Sequence, residues 1–73
     1  MNFIEFTKEH LSYNEESREH YIEIPKAEIG PNIESVQIVN EDGSFSSADC
    51  DITENHSTFI ISLPYPSNLR VNF

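Results

Sequence analysis

Tryptophan is absent from this 73-residue sequence, which has one cysteine, two glycines, and only four lysines and arginines together. A single cysteine excludes a disulfide within the chain. Against thirteen acidic residues, the few basic ones leave a net charge of −9. Such a surface repels a phosphate backbone, so we expect no direct binding to nucleic acid.

Long apolar segments are also missing. No apolar run approaches the length that spans a membrane, so we expect no membrane partner. The first residues, MNFIEFTKEHL, lack the basic region and the following apolar stretch of a secretory signal. The sequence therefore predicts a protein made and kept, or assembled, in the cytoplasm, and the unpaired cysteine agrees with that reducing compartment.

The short length predicts a single small domain covering residues 1–73. A chain of this size buries only about 60% of the surface that its unfolded form exposes, so its stability is marginal. Small folds of this kind usually gain stability from disulfides, metals or oligomerisation. Because no disulfide is available, a metal or a partner chain remains; of the two we expect a partner chain and favour a homo-oligomer.

Short segments in which apolar and polar residues alternate recur at about ten-residue spacing, which is typical of strands in small β proteins. They cover residues 20–25, 33–39, 45–52, 58–64 and 69–73. Asp42-Gly43 is a strong hairpin signal because glycine accepts the positive φ that the turn requires. We predict an all-β fold: a small antiparallel meander of about five to six strands, folded as a β-sandwich or a partly open barrel.

The same alternation predicts the faces of the strands. Residues 58–63 are apolar on both faces, with Phe59, Ile61 and Leu63 on one and Ile60 on the other, so we expect a central strand covered on both sides. In residues 45–52 and 69–73 only one face is apolar. There the predicted inward side chains are Ala48, Cys50 and Ile52, then Leu69, Val71 and Phe73, with Arg70 and Asn72 pointing outward.

Residues 1–20 are interpreted as an N-terminal strand or a docking arm. Within them, the polar stretch 12–20 lacks apolar residues at helical spacing, so it is interpreted as a hairpin tip or a loose turn. A short helix is the alternative, because Ser12 and Glu15 match a capping box. Farther along, Pro25 ends a strand and Gly30-Pro31-Asn32 predicts a loop over residues 26–32.

Residues able to support chemistry do not form a recognisable site. His10, His20, Cys50 and His56 lack the spacing that brings metal ligands together, and the acids around Gly43 do not match a calcium-binding loop. Cys50 falls on the apolar face of its strand, where a cysteine behaves as a small buried hydrophobe and not as a reactive thiolate. We therefore expect no enzyme, with no catalytic residues, no metal site and no cofactor.

A series of strand and turn pieces runs through residues 22–73. The pieces are Ile24-Pro25, Glu28-Ile29-Gly30, Ser35 to Val39, Glu41-Asp42-Gly43, Ala48-Asp49, Ser57 to Ser62 and Leu69 to Val71. Their order resembles a small β domain of bacteriophage tail-fibre and tail-tip structural proteins. The sequence departs from that family where Lys26-Ala27 replaces a His-Asn loop pair and Pro64-Tyr65-Pro66 replaces a turn of small residues.

The resemblance implies a non-enzymatic structural or appendage protein of a phage virion. Such a protein works through protein–protein contacts, in tail or capsid assembly or in attachment to a host surface. Its implied partners are other virion protein subunits, including further copies of itself in a homo-oligomer. Its implied location is the virion, after assembly in the host cytoplasm.

Three aromatic residues near loop tips are the predicted partner contacts: Tyr13, Phe45 just past the hairpin turn, and Tyr65 in its rigid Pro-Tyr-Pro setting. Aromatic residues are enriched in the cores of interfaces. The alternative is that they pack within the chain, since so small a domain has few large apolar groups to spare.

The acidic composition supports a second function of a different class. Seven acidic residues and no basic one lie between Ala27 and Leu69. Such a surface suits a small inhibitor or nucleic-acid-mimicking decoy that occupies a basic groove on another protein. Salt would weaken that binding, because it screens contacts between exposed charges.

Overall fold

The computed structural model describes residues 2–73, which form eight strands and two short helical turns. The strands are β1 (Phe3–Phe6), β2 (Ser12–Asn14), β3 (Glu19–Pro25), β4 (Ser35–Val39), β5 (Phe45–Ser47), β6 (Asp51–Glu54), β7 (Thr58–Leu63) and β8 (Leu69–Asn72). A 3₁₀ turn at Lys8–His10 lies between β1 and β2, and the single-turn helix α1 (Lys26–Ile29) lies between β3 and β4.

The strands form two four-stranded antiparallel sheets. Sheet A has the order β1-β8-β4-β5, and sheet B has the order β2-β3-β7-β6. The predicted all-β sandwich is confirmed, although with eight strands instead of about five to six. The order also departs from a simple meander. Consecutive strands pair only in the hairpins β2–β3, β4–β5 and β6–β7, whereas β1–β8, β4–β8 and β3–β7 join distant segments.

Turn residues explain where the β4–β5 and β6–β7 hairpins reverse direction. The β4–β5 turn confirms the Asp42-Gly43 prediction: Gly43 has a φ of 87° and its N–H donates to the carbonyl of Asn40. In the β6–β7 turn, the side-chain oxygen of Asn55 accepts hydrogen bonds from the backbone N–H groups of Ser57 and Thr58, two and three residues farther along.

The polar stretch 12–20 forms the hairpin of β2 and β3, with residues 15–18 as its tip, in agreement with the hairpin interpretation offered for it. The side chain of Asn14 accepts hydrogen bonds from the N–H groups of Glu16 and Ser17. Arg18, just before β3, has a φ of 56°, a left-handed conformation that costs energy in any residue with a Cβ. Local turn chemistry therefore prevails over the capping-box signal for a helix.

The predicted single strand over residues 45–52 is wrong. β5 belongs to sheet A and β6 to sheet B, so the chain crosses between the sheets at residues 48–50. Ile52 lies opposite Ile61 and shares its inward face, yet it is 46% exposed. The reason is that β6 is the edge strand of sheet B, where the opposite sheet does not cover it.

The core lies between the sheets and combines residues from both. Sheet B contributes the inward faces of β3 and β7, and sheet A contributes that of β8. The buried hydrophobic residues are Ile22, Ile24, Ile29, Phe59, Ile61, Leu63, Leu69 and Val71. Phe73 packs against this core in phase with Val71, as its alternation predicts.

Within residues 2–73, only one of the two apolar faces of β7 is covered, so coverage of the second face by another subunit stays a prediction. β7 is central in sheet B, between β3 and β6, and one of its faces is buried. Its other face bears Ile60, which is only half-buried and lies on the outside of the sandwich. The first strand does not cover that face, because β1 pairs with β8 in sheet A.

Two further predictions need correction. Asn72 points outward from β8, as alternation requires, but it is only 8% exposed because neighbouring polar side chains surround it. The segment 26–32 is not all loop: α1 occupies its first part and buries Ile29, and Gly30, with a φ of 88°, ends the turn. In the described part of the chain, no helix has the length and apolar character to cross a membrane.

Candidate protein interaction surface

Four side chains on the outer face of sheet A form a compact group, here named the Arg70 cluster: Phe3, Glu5, Phe45 and Arg70. The guanidinium carbon of Arg70 lies 3.9 Å from the ring centroid of Phe3 and 4.5 Å from that of Phe45. The Nε of Arg70 also donates to a carboxylate oxygen of Glu5 at 3.1 Å. The cation is therefore held by two aromatic faces and one carboxylate.

Strand register brings these residues together from three segments of the chain. In the β1–β8 ladder, Glu5 lies opposite Arg70 and Phe3 lies opposite Asn72. These two pairs of side chains share the outer face of sheet A. Phe45 enters from the edge strand β5, where it lies opposite Val39 of β4.

A hydrogen-bonded amide supports the cluster from the same face. The Nδ2 group of buried Asn72 donates to the Ser35 hydroxyl and to the Gln37 side-chain oxygen, each at 3.0 Å. These bonds link β8 to β4 through side chains as well as backbone. They satisfy a polar group that would otherwise be costly to bury, and they restrict the strand on which Arg70 stands.

The Arg70 cluster has the chemistry of a protein contact site. Phe3 is 52% exposed and Phe45 is 44% exposed, so both rings remain available to a partner although each already contacts Arg70. Aromatic residues and arginine are the types most enriched at interface cores. Because its charged group is already oriented by Glu5, the cluster loses less side-chain freedom on binding than a free arginine would.

The outer face of sheet B presents a different surface, here named the acidic groove. It is a shallow concavity of about 260 Å³, with Tyr21 and Ile60 among its lining residues and the carboxylates of Glu19 and Glu23 beside them. The remaining lining residues are Asn14, Ser17 and Ser62. No lysine or arginine lines this groove, so its chemistry suits a cationic group.

The predicted contacts Tyr13, Phe45 and Tyr65 lie in three different places, and all are exposed. Phe45 is part of the Arg70 cluster. Tyr13, 53% exposed, packs beside His20 on sheet B with ring centroids 5.0 Å apart. Tyr65, 77% exposed, stands in the connection between β7 and β8. The alternative, packing within the chain, therefore applies only in part, and their role as partner contacts stays a prediction.

Sequence reasoning missed Phe3 and Arg70 as members of the candidate site. Each carries a local signal: Phe3 alternates with Ile4, and Arg70 lies between two core residues, Leu69 and Val71. Alternation of this kind shows that both side chains leave the core. It does not show that they meet, since that requires the pairing of β1 with β8.

The potential metal ligands and the thiol do not form a site. Across residues 2–73, no group of three or more histidine, cysteine, aspartate or glutamate side chains is placed to hold a metal ion. Cys50 is half-buried against the core. Its burial, and then the charges of Asp51 and Asp49, raise the pKa of the thiol, which makes the thiolate scarcer.

Comparison of the chain with protein-family models, with curated proteins and with solved structures finds no match.

Proposed function

We propose that this protein is a non-enzymatic interaction module that works through protein–protein contacts, with the Arg70 cluster as its main contact surface. Following the resemblance to phage tail-fibre and tail-tip domains, the specific form of the proposal is a structural or appendage subunit of a virion. Its partners are then other virion subunits, including further copies of itself.

The single observation that supports this proposal most is the exposure of Phe3 and Phe45 on either side of Arg70. Two large rings that are exposed close to one another form an apolar patch, and patches of this kind mark protein contact sites. Here they are ordered by a cation that Glu5 holds in turn. An ordered aromatic surface of this kind suits a partner that buries both rings and the guanidinium together.

The test replaces Phe45 by serine and measures the loss of a partner. A tagged chain is co-expressed with the products of the genes beside its own, and retained proteins are identified and titrated by calorimetry. We expect a tail or capsid protein to be retained and Phe45→Ser to weaken its binding at least about tenfold. Ile52→Ser is the matched control, since Ile52 has nearly the same exposure on an edge strand of the other sheet.

Two results would contradict the proposal. One is a chain that retains no neighbouring product and stays monomeric at every concentration. The other is equal weakening by Phe45→Ser and Ile52→Ser, which would assign binding to general hydrophobicity and not to the Arg70 cluster. Circular dichroism of both variants checks that the sandwich is intact.

The acidic groove favours a second candidate function, the inhibitor or decoy that binds a basic groove on another protein. The relevant observation is that Glu19 and Glu23 lie on either side of Tyr21 along β3, with Glu23 opposite Ile60 of β7, and no cation is among the groove's lining residues. A lysine or arginine stem could lie on Tyr21 and Ile60 while its charged end reaches a carboxylate.

A short oligoarginine peptide is a suitable probe of this second candidate. We expect fluorescence anisotropy to show binding that weakens as salt rises, and we expect Glu19→Gln/Glu23→Gln to weaken it further. Glu28→Gln/Glu34→Gln removes the same charge outside the groove and serves as the control. Binding that is insensitive to salt, or equally affected by both double variants, would remove the candidate.

A further inference from the structure

Within residues 2–73, the outer edge of β1 has no neighbouring strand. In the described residues, β1 is the terminal strand of sheet A and its one partner is β8. A free strand edge presents unpaired N–H and C=O groups, and natural proteins usually protect such edges with charge, proline or shortness. Whether an edge is protected can therefore be judged from the residues on and beside it.

The other three sheet edges are protected by acidic residues or by their shortness. β6 has Asp51 and Glu54 within its four residues, and β2 is only three residues long and is followed by Glu15 and Glu16. The edge strand β5 is also three residues long, with Asp49 two positions beyond its end. On β6 a second copy would bring the unpaired Asp51 close to further acidic side chains, although Glu54 is paired with Lys26. On β2 and β5 only three residues are available to pair, and acidic residues follow each strand.

The edge of β1 lacks this protection. Its four residues, Phe-Ile-Glu-Phe, include one charge, and that charge is paired, because Glu5 accepts a hydrogen bond from Arg70. β1 is thus a four-residue edge with no unpaired carboxylate, in a chain whose net charge is −9. A second copy meets no unpaired charge within this strand, and it meets a longer edge here than at β2 or β5.

The hydrogen-bond pattern shows which groups face outward. Asn2 and Phe73 exchange both backbone hydrogen bonds, N to O at 3.2 Å and 3.0 Å. Bonded and non-bonded pairs alternate along an antiparallel ladder, so Ile4 and Phe6 bond to β8, whereas Phe3 and Glu5 direct their N–H and C=O groups to the free edge.

We propose that β1 pairs antiparallel with β1 of a second copy, across a two-fold axis at Ile4. In this register Phe3 and Glu5 exchange backbone hydrogen bonds with the second copy's Glu5 and Phe3, and the two Ile4 residues face each other. The N–H and C=O groups that Phe3 and Glu5 direct to the free edge then bond to those of the second copy. The side chains of each residue pair lie on the same face of the sheet. A shift of two residues toward the end of β1 would set Glu5 opposite Glu5, which like charge disfavours.

Such pairing makes sheet A continuous across the dimer, with one Arg70 cluster on each side of the axis. The inference deepens the proposed function by naming one partner, a second copy, and the edge that binds it. The dimer does not depend on the partner protein that binds through the Arg70 cluster. The dimer proposal and the proposed function can therefore fail separately. The contact is isologous and closes on itself, which limits assembly through this edge to two chains.

The decisive variant is Glu5→Pro, which removes an outward N–H without removing a hydrogen bond to β8. Glu5→Gln is its matched control, since it removes the same charge and keeps the N–H. In sedimentation velocity over a concentration series, we expect wild type to form dimers, Glu5→Pro to raise the dissociation constant at least about tenfold, and Glu5→Gln to change it less than about threefold.

Hydrogen exchange of the wild-type chain provides a test that no folding defect can obscure. We expect the amides of Phe3 and Glu5 to exchange rapidly in dilute samples and slowly in concentrated ones, whereas those of Ile4 and Phe6 are protected in both. Wild type that stays monomeric overturns the proposal, and so does a dimer in which the Phe3 and Glu5 amides gain no protection. A dimer lost in Phe45→Ser but kept in Glu5→Pro assigns self-association to the Arg70 cluster, overturning the edge proposal while leaving the proposed function intact.

Discussion

The two sheets share one core but differ on their outer faces. Sheet A carries a cation, Arg70, that is paired with Glu5 and set between aromatic rings. Sheet B carries Glu19 and Glu23 around an apolar surface with no cation among the residues of the groove. The same architecture therefore offers two surfaces of different charge on opposite sides of the molecule, and each suits a different class of partner.

The difference extends to how polar groups are buried. The central strand β8 of sheet A buries the amide of Asn72 on its outer face and satisfies it with Ser35 and Gln37. The central strand β7 of sheet B has Ile60 and Ser62 on its outer face, each only half-buried. Sheet A thus gains rigidity where its aromatic cluster stands, whereas sheet B keeps an open concavity.

The largest expected effect tests whether the two sheets are one cooperative unit. Leu69 of sheet A and Ile61 of sheet B are both fully buried, so we expect Leu69→Ala and Ile61→Ala each to lower the free energy of unfolding by about 2–5 kcal/mol. Urea denaturation followed by circular dichroism measures this. Ile52→Ala, beside Ile61 but exposed, should cost about 1 kcal/mol or less. Two separate transitions in either variant would show that the sheets unfold independently.

The next effect concerns the buried amide. We expect Asn72→Ala to lower the free energy of unfolding by about 1–3 kcal/mol, because it removes two hydrogen bonds and leaves the Gln37 oxygen without its partner. Ser62→Ala, at the outer face of the other central strand, should change stability by less than about 0.5 kcal/mol. Urea denaturation measures both free energies of unfolding. If Asn72→Ala and Ser62→Ala lowered them equally, the hydrogen bonds of Asn72 would not stabilise sheet A specifically.

A smaller effect compares a hairpin turn from each sheet. Gly43→Ala should destabilise the protein by about 1 kcal/mol, because its positive φ disfavours any Cβ even though the space around it is open. Arg18→Asn should instead raise stability by about 0.5 kcal/mol, since asparagine tolerates the left-handed conformation at that position better than arginine. Thermal denaturation measures the stability of both variants. Midpoints that shift in the same direction would contradict the role given to the positive φ at these two positions.

The smallest effect is a pH dependence confined to one hairpin. The hydroxyl and then the backbone N–H of Ser44 donate to Asp42 and lower the pKa of its carboxyl below the ordinary 3.8. The stabilisation is therefore complete above pH 3.8 and is lost as pH falls through the lower folded-state pKa. Asn55, which caps the corresponding turn of sheet B, does not titrate.

Asp42→Asn tests this difference directly. We expect its stability to fall less steeply than that of wild type below pH 3.8, as measured by urea denaturation at several pH values. An unchanged slope would exclude Asp42 as a source of the acid sensitivity. Asn55→Asp would be expected to introduce a similar dependence into the hairpin of sheet B.

Much of the fold was predictable because it depends on local signals. Alternation placed the inward faces of β7 and β8, and Asp42-Gly43 placed a hairpin correctly. The break between β5 and β6 was not predicted, since polar and apolar residues alternate from Ser47 to Ile52, straight through residues 48–50 where the chain crosses between the sheets. Of the candidate site, Phe45 was recognised from its position after a turn, whereas Phe3 and Arg70 were not.

The sequence by itself determined the all-β class, the strand faces and the acidic character, because period-two alternation, turn residues and charge act over a few neighbouring positions. Only the tertiary structure decided which strands are neighbours. Pairing of β1 with β8 joins residues nearly the full chain length apart, and it is set by which faces bury most apolar surface together. The Arg70 cluster exists only through that pairing, because Phe3, Phe45 and Arg70 have no local relation to one another.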